Sequence, residues 1–239
     1  MHSGALTSTA VRLEQPQLAA AYLLIAELLL YPEERDAATL EDCRRVLDGV
    51  PAVTEPIDAF LASPRADDLD EYLALLELAP TCPLYLGAYM FEEPSSCRGA
   101  GLSDRNAYML ELKAIYRHFG LEPAGNEMAD FLPLVAEFLA LALAQGELDG
   151  VGLRRRLLER HVAPALPALR QKLEKYESPY ARLIECLALL VEHDAASCPG
   201  PAWEAEPSAL ELPMLKPFVE AAGSAGGTRG TTGGEEARP

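Results

Sequence analysis

Strand-forming residues are scarce in this 239-residue chain: Val, Ile and Thr are thinly scattered, while Ala and Leu dominate. That balance disfavours sheets and favours helices. Other absences narrow the chemistry. The five cysteines, Cys43, Cys82, Cys97, Cys186 and Cys198, form no C-x-x-C pair, so no zinc or redox motif is present. The histidines, His2, His118, His161 and His193, fall in no H-E-x-x-H. No Glu-x-x-His recurs on two helices, as a helical di-iron site needs. There is no G-x-S-x-G and no glycine-rich turn from a strand into a helix, so neither a serine nucleophile nor a phosphate cradle is visible. Basic residues are outnumbered 20 to 37, a net charge of −17, which opposes nucleic acid as a ligand. A surplus of that sign keeps a surface soluble and suits a basic partner. The apolar run Leu18 to Leu30 is broken by Glu27 and too short to span a bilayer. With no basic, apolar leader at the start, the odd cysteine count reads as reduced thiols in the cytoplasm.

What remains is a succession of helices. The first is expected over Gln17 to Leu30, stopped at Tyr31-Pro32. Asp36 is placed as N-cap of a second. Thr54 is placed as cap of a short third with Pro56 in its first turn, and Asp67-Asp68 at the start of a fourth. Ser103 is expected to cap a helix whose stripe is Tyr108, Leu112, Ile115 and Phe119, closed by Gly120. A short helix from Asp149 and a Pro-interrupted stretch to Lys175 follow the central helix. Ser178-Pro179 is expected to open the last major helix, with Leu183, Ile184, Leu187 and either Leu190 or Val191 inward. The fold class is therefore all-α, a single bundle over residues 17–194 with Pro-rich connections. Residues 1–16 read as a flexible start. Residues 195–220 read as an extended segment in which Pro213 to Val219 could dock, and 221–239 as a disordered Gly-rich tail.

The most telling stretch runs from Asn126 to Ala144. Asp130 is expected to N-cap this central helix, with Pro133 in its first turn. From Phe131 to Ala144 the only ionisable side chain is Glu137. A helix apolar all round is a buried helix, so Glu137 is either paired inside the fold or facing a groove. Upstream, Ala79 to Ser103 is irregular yet carries Tyr85, Tyr89, Met90 and Phe91, as a segment does when docked over a core or lining a site. Lys113 and Tyr116, three apart on one helix side, are candidates to face the central helix, with Lys113 the partner for Glu137. Nothing assembles into a catalytic constellation, which points to a binding protein.

Three blocks, in order, resemble the TorD/NarJ-like chaperones that assist assembly of molybdenum-containing oxidoreductases, including the nitrate reductase delta-subunit branch. Leu28-Leu29-Leu30-Tyr31-Pro32 is similar to the family's L-L-x-Y-P. Cys82-Pro83-Leu84-Tyr85-Leu86-Gly87-Ala88-Tyr89 is similar to S-L-Y-L-x-x-Y, and is followed by Leu112 to Gly120, like L-K-x-x-Y-R-x-x-G. Glu127 to Phe138 is similar to E-L-P-D-[HY]-L-P-x-x-x-E-F. Ala129 replaces the usual Pro, Phe131 the His or Tyr, and Glu92-Glu93-Pro94 the Gly-Asp and Arg pattern, so the client enzyme stays open. The resemblance implies an all-helical fold without catalysis, metal or cofactor of its own. It also implies a partner: the N-terminal or leader segment of an apo catalytic subunit, held in the cytoplasm until its cofactor is inserted. On that reading Tyr22, Tyr85, Tyr89 and Phe131 line a groove for the apolar part of the segment, flanked by Lys113 and Tyr116. Asp130 or Glu137 draws the basic part. A stable accessory subunit is the first rival reading, an enzyme with an unfamiliar helical site the second. Membrane insertion is not expected, and the chain is read as monomer or dimer.

Overall fold

A computed structural model carries out the all-α expectation; it describes residues 12–91, 103–125, 127–145 and 152–198, and among these it forms nine α-helices. These lie in one unit, Met1–Trp203. Helix α1 is Gln15–Leu28, α2 Ala37–Val46 and α3 Pro51–Leu61. Helix α4, Leu69–Tyr72, continues as a π-helical turn, Leu73–Glu77. Helix α5 is Asp104–His118 and α6 Leu132–Ala144. Helix α7, Leu153–Arg156, also runs on in π geometry through Leu157–Val162; α8 is Leu166–Lys175 and α9 Tyr180–Ser197. Among the described residues the only β pairing is one isolated bridge, Tyr85 to Phe131.

Local chemistry sets most of the helix ends. Asp36 caps α2 through the N–H groups of Ala38 and Thr39, and Asp68 caps α4 through Glu71. Ser103 caps α5 through Asn106, and Gly120 follows that helix at φ +71°, a conformation glycine takes without strain. Helix α1 begins two residues before the expected Gln17 and ends two before the expected Leu30, and three further starts move. Helix α3 begins at Pro51, leaving Thr54 and Pro56 inside it; a proline in the first turn is the stronger signal, since its missing N–H loses nothing there. Helix α9 begins at Tyr180, and the Ser178 hydroxyl is buried without a hydrogen-bond partner instead of capping it. Helix α6 begins at Leu132 with Phe131 at its N-cap position, so Asp130 is not the cap. The expectations for Asp149, for 221–239 and for Pro213 to Val219 lie outside the described residues.

Helix α1 lies along α6 and also meets α2 and α9, while α9 packs on α3 and α8. All four residues of the α5 stripe are buried, as are Leu183, Ile184 and Leu187 of α9 and both of its alternatives, Leu190 and Val191. Phe60, Tyr72 and Tyr180 meet edge-on, at centroid separations of 5.0 and 5.9 Å, beneath Arg35, which bonds to Asp67, Ala66 and the Tyr180 hydroxyl.

One polar cluster sits within this apolar interior. Arg154 of α7 and Asp194 of α9 are both buried and form a bidentate ion pair, the Nε–Oδ1 bond measuring 3.1 Å. Arg154 also donates to the Leu139 carbonyl of α6 at 2.7 Å, and the Tyr22 hydroxyl of α1 donates to Asp194 at 2.9 Å. Four helices thus share one network. A second tie joins α5 to α7: Glu111 receives Arg156 at 2.6 Å and stands 3.1 Å from His161 Nε2, close but not aligned for a hydrogen bond. Burial pushes the Glu111 carboxyl up, but His161, Arg156 and Arg160 outweigh it and hold it below the ordinary value.

Asp194→Ala removes the carboxylate that faces the buried Arg154 and accepts from the Tyr22 hydroxyl; the expected loss is about 3–5 kcal/mol in urea unfolding. The double change Arg154→Met with Asp194→Leu is expected to recover most of that loss, because no unpaired charge is then buried.

Candidate peptide-binding groove

Residues Pro83 to Phe91 run across the start of α6, and the backbone explains why they stay there. The Leu86 N–H donates to the Asp130 carbonyl at 3.0 Å, and the Leu132 N–H to the Leu84 carbonyl at 2.7 Å. These two bonds flank the Tyr85–Phe131 bridge and supply partners for backbone groups that helices leave unpaired. The rings of Tyr85 and Phe131 pack at 5.4 Å between centroids. The short 3-10 turn Leu86–Tyr89 then brings its backbone against Asp130.

Asp130 is fully buried. Its Oδ2 accepts from the Gly87 N–H at 3.0 Å and lies 3.9 Å from Arg105 Nη2, while Oδ1 has no hydrogen-bond partner. Burial pushes its carboxyl above the ordinary value, against the opposing pulls of the Gly87 N–H and the Arg105 guanidinium. Its carboxylate pins the Pro83–Phe91 segment and lies out of solvent rather than on the surface. Gly87 is required by the same contact, since a Cβ there would come 2.8 Å from Asp130 Oδ2 and 3.2 Å from Arg105 Nε.

The groove itself opens between α1 and the start of α6. Leu23, Ala26, Leu30, Phe131, Pro133 and Leu134 give it an apolar surface, and Glu27, Glu127 and Glu137 supply its charge; it encloses about 200 Å³. Among the described residues no basic side chain lines it. Glu27 is held by the Asp36 N–H at 3.0 Å, and Glu127 by the Tyr85 hydroxyl at 3.1 Å and the Met128 N–H at 2.9 Å. Glu137 is exposed on α6. Burial, then the neighbouring Glu127, pushes the Tyr85 hydroxyl up to about 12, so it remains a donor at any ordinary pH.

The eight residues expected to form the site divide sharply. Phe131 and Glu137 line the groove, and Tyr85 stands directly behind it on Phe131 and Glu127. Tyr22 and Tyr116 do not line it: both are buried, Tyr22 on Asp194 and Tyr116 on the Ala129 carbonyl at 2.7 Å. Tyr89 is turned toward α8, its hydroxyl on the Pro83 carbonyl at 2.9 Å and its ring 5.1 Å from Lys172 Nζ. Lys113 is exposed and forms no ion pair with Glu137. Helical spacing places two residues on one side of their own helix; it does not say which neighbour that side meets.

The profile of the nitrate reductase delta subunit family matches residues 43–184, more than half of the chain. The chain belongs to the nitrate reductase delta subunit family. Among its relatives is the probable nitrate reductase molybdenum cofactor assembly chaperone NarW of Escherichia coli K12. It is 26% identical over 175 residues, covering 73% of this chain and 69% of that protein. The corresponding NarJ protein of Bacillus subtilis is 27% identical over 173 residues, 70% of this chain and 85% of its own. The perchlorate reductase assembly chaperone protein of Dechloromonas aromatica is 33% identical over 102 residues, 38% of this chain and 41% of its own.

Membership gives the sequence blocks a shared location. Leu30 from the first block, Tyr85 from the second, and Glu127, Phe131, Pro133 and Glu137 from the third all gather at the groove. Sequence reasoning missed Glu27 and Glu127. Glu27 interrupts the otherwise apolar run Leu18 to Leu30, and that interruption was the available signal. It also missed Arg154 and Asp194, whose pairing spans 40 residues and carries no local mark.

Two outcomes follow from this geometry. Gly87→Ala must displace Asp130 or Arg105, and thermal unfolding is expected to show a loss of about 1–3 kcal/mol. For Asp130 the folded state binds the proton more tightly than the unfolded chain does. The stability this confers is present below the ordinary value of 3.8 and drains away as pH rises through the folded value. Denaturant titrations across acid to neutral pH should therefore show Asp130→Asn gaining stability relative to the parent as pH rises.

Proposed function

We propose that this chain is an assembly chaperone for a molybdenum-containing oxidoreductase of the nitrate or perchlorate reductase kind. Its groove takes the N-terminal segment of the apo catalytic subunit. The segment is amphipathic: an apolar face fills the surface of Leu23, Leu30, Phe131 and Leu134, and basic residues meet Glu27, Glu127 and Glu137. The observation that carries this reading is the pairing of an apolar groove with three carboxylates and, among the described residues, no lining cation, on a chain of net charge −17. That field favours a cationic segment and speeds its encounter. The names of the relatives support the partner class, since each describes assembly of a reductase. Binding takes place in the cytoplasm, before cofactor insertion and before export or membrane docking. Among the described residues no helix is long and apolar enough to cross a membrane, in keeping with that site of action.

The test is affinity capture of the tagged chain from its own host, with metal analysis of what is recovered. A molybdenum-free catalytic subunit is the expected partner; a molybdenum-loaded complete complex would mean a resident subunit instead. Glu27→Gln with Glu137→Gln then tests the groove. The amide oxygen still accepts from Asp36, so the fold is kept. Each such pair contributes about 0.2–1 kcal/mol, so the loss of two is expected to lower client affinity roughly twofold to thirtyfold. The deficit should shrink as salt is raised.

A further inference from the structure

Of the three groove carboxylates, Glu127 alone is held by another side chain. Its Oε1 accepts the Tyr85 hydroxyl at 3.1 Å and the Met128 N–H at 2.9 Å. The Tyr85 ring is fixed in turn: its backbone is bridged to Phe131, and its face packs on the Phe131 ring at 5.4 Å. Phe131 lies on the groove's apolar surface and Glu127 on its charged part. One residue that does not line the groove therefore touches both an apolar and an acidic element that do. We propose that Tyr85 is a positioning residue for client selection: its hydroxyl holds the Glu127 carboxylate in place to meet a basic residue of the client.

The inference rests on the groove being the client site. A carboxylate held in one place loses less freedom on pairing with a cation than a mobile one does. The Tyr85 hydroxyl serves this purpose without competing, because it donates to one oxygen and leaves the other lone pairs of the carboxylate open. Release of that hydroxyl lets Glu127 take other rotamers. A basic client then loses its pre-set partner, while an uncharged client, which never used it, is unaffected. Tyr85→Phe removes only the hydroxyl and keeps the ring on Phe131, so the groove's apolar surface survives.

The measurement uses the full chain and two synthetic amphipathic peptides: one carrying paired arginines beside a leucine-rich face, and the same peptide with both arginines replaced by glutamine. Calorimetry gives the affinity ratio between them. In the parent chain the arginine peptide is expected to bind more tightly. Tyr85→Phe is expected to cut that ratio roughly threefold to tenfold, the range of one hydrogen bond's contribution, while leaving the glutamine peptide's affinity unchanged. Glu127→Gln should cut it at least as much, and the double variant should be no worse than Glu127→Gln alone. An unchanged ratio in Tyr85→Phe overturns the inference. So does an equal loss for both peptides, which would mark Tyr85 as a packing residue only. If the parent chain does not distinguish the peptides, or if Glu27→Gln with Glu137→Gln leaves the ratio unchanged, the groove reading itself fails and the inference falls with it.

Discussion

Arg154 and Asp194 lie almost wholly out of water, and each charge offsets the cost of burying the other. Their bidentate pair joins α7 to α9, the Leu139 carbonyl brings in α6, and the Tyr22 hydroxyl brings in α1. Apolar packing between helices is forgiving of small rotations and slips. A charge pair with every member directed at a specific atom is not, so this cluster sets the register of α1 against α6. The groove lies between those two helices. Its geometry therefore depends on an interaction outside the groove.

A second constraint acts at the groove's edge. Helix α6 needs partners for its first N–H groups, and Asp130 does not supply them as a cap. The Leu132 N–H instead reaches the Leu84 carbonyl, and the Asp130 carboxylate turns away to hold Gly87. The start of a helix and an irregular segment thereby satisfy one another. The result is a rigid support for Phe131 and, through Tyr85, for Glu127. A buried carboxylate with one oxygen unpartnered is costly, and here that cost holds in place a segment with little regular structure.

Charge follows a division of labour. Buried acids such as Asp130 and Asp194 are committed to the fold, while Glu27, Glu127 and Glu137 line the groove. The large negative net charge does not distinguish these groups. Burial does, because a carboxylate already desolvated and bonded inside the protein contributes little to an encounter at the surface.

How much was legible in the chain beforehand follows from the range of the forces. Helix content, the caps at Asp36, Asp68 and Ser103, the inward faces of α5 and α9, and the buried character of α6 all come from neighbours within a few residues, and periodicity displays them. The ordered blocks pointed to the family for a similar reason, since each is a local string. Where Tyr22, Tyr116 and Tyr89 point was not legible, because an aromatic with a polar tip suits a buried hydrogen bond as well as a groove. The choice was made by Asp194, the Ala129 carbonyl and the Pro83 carbonyl. Glu137 was narrowed to two fates by its apolar surroundings, and only the packing of α1 on α6 decided that it faces the groove. Local order was thus determined by the sequence itself, through short-range backbone and capping energetics. The composition of the groove was decided by tertiary structure, through pairings between residues far apart along the chain.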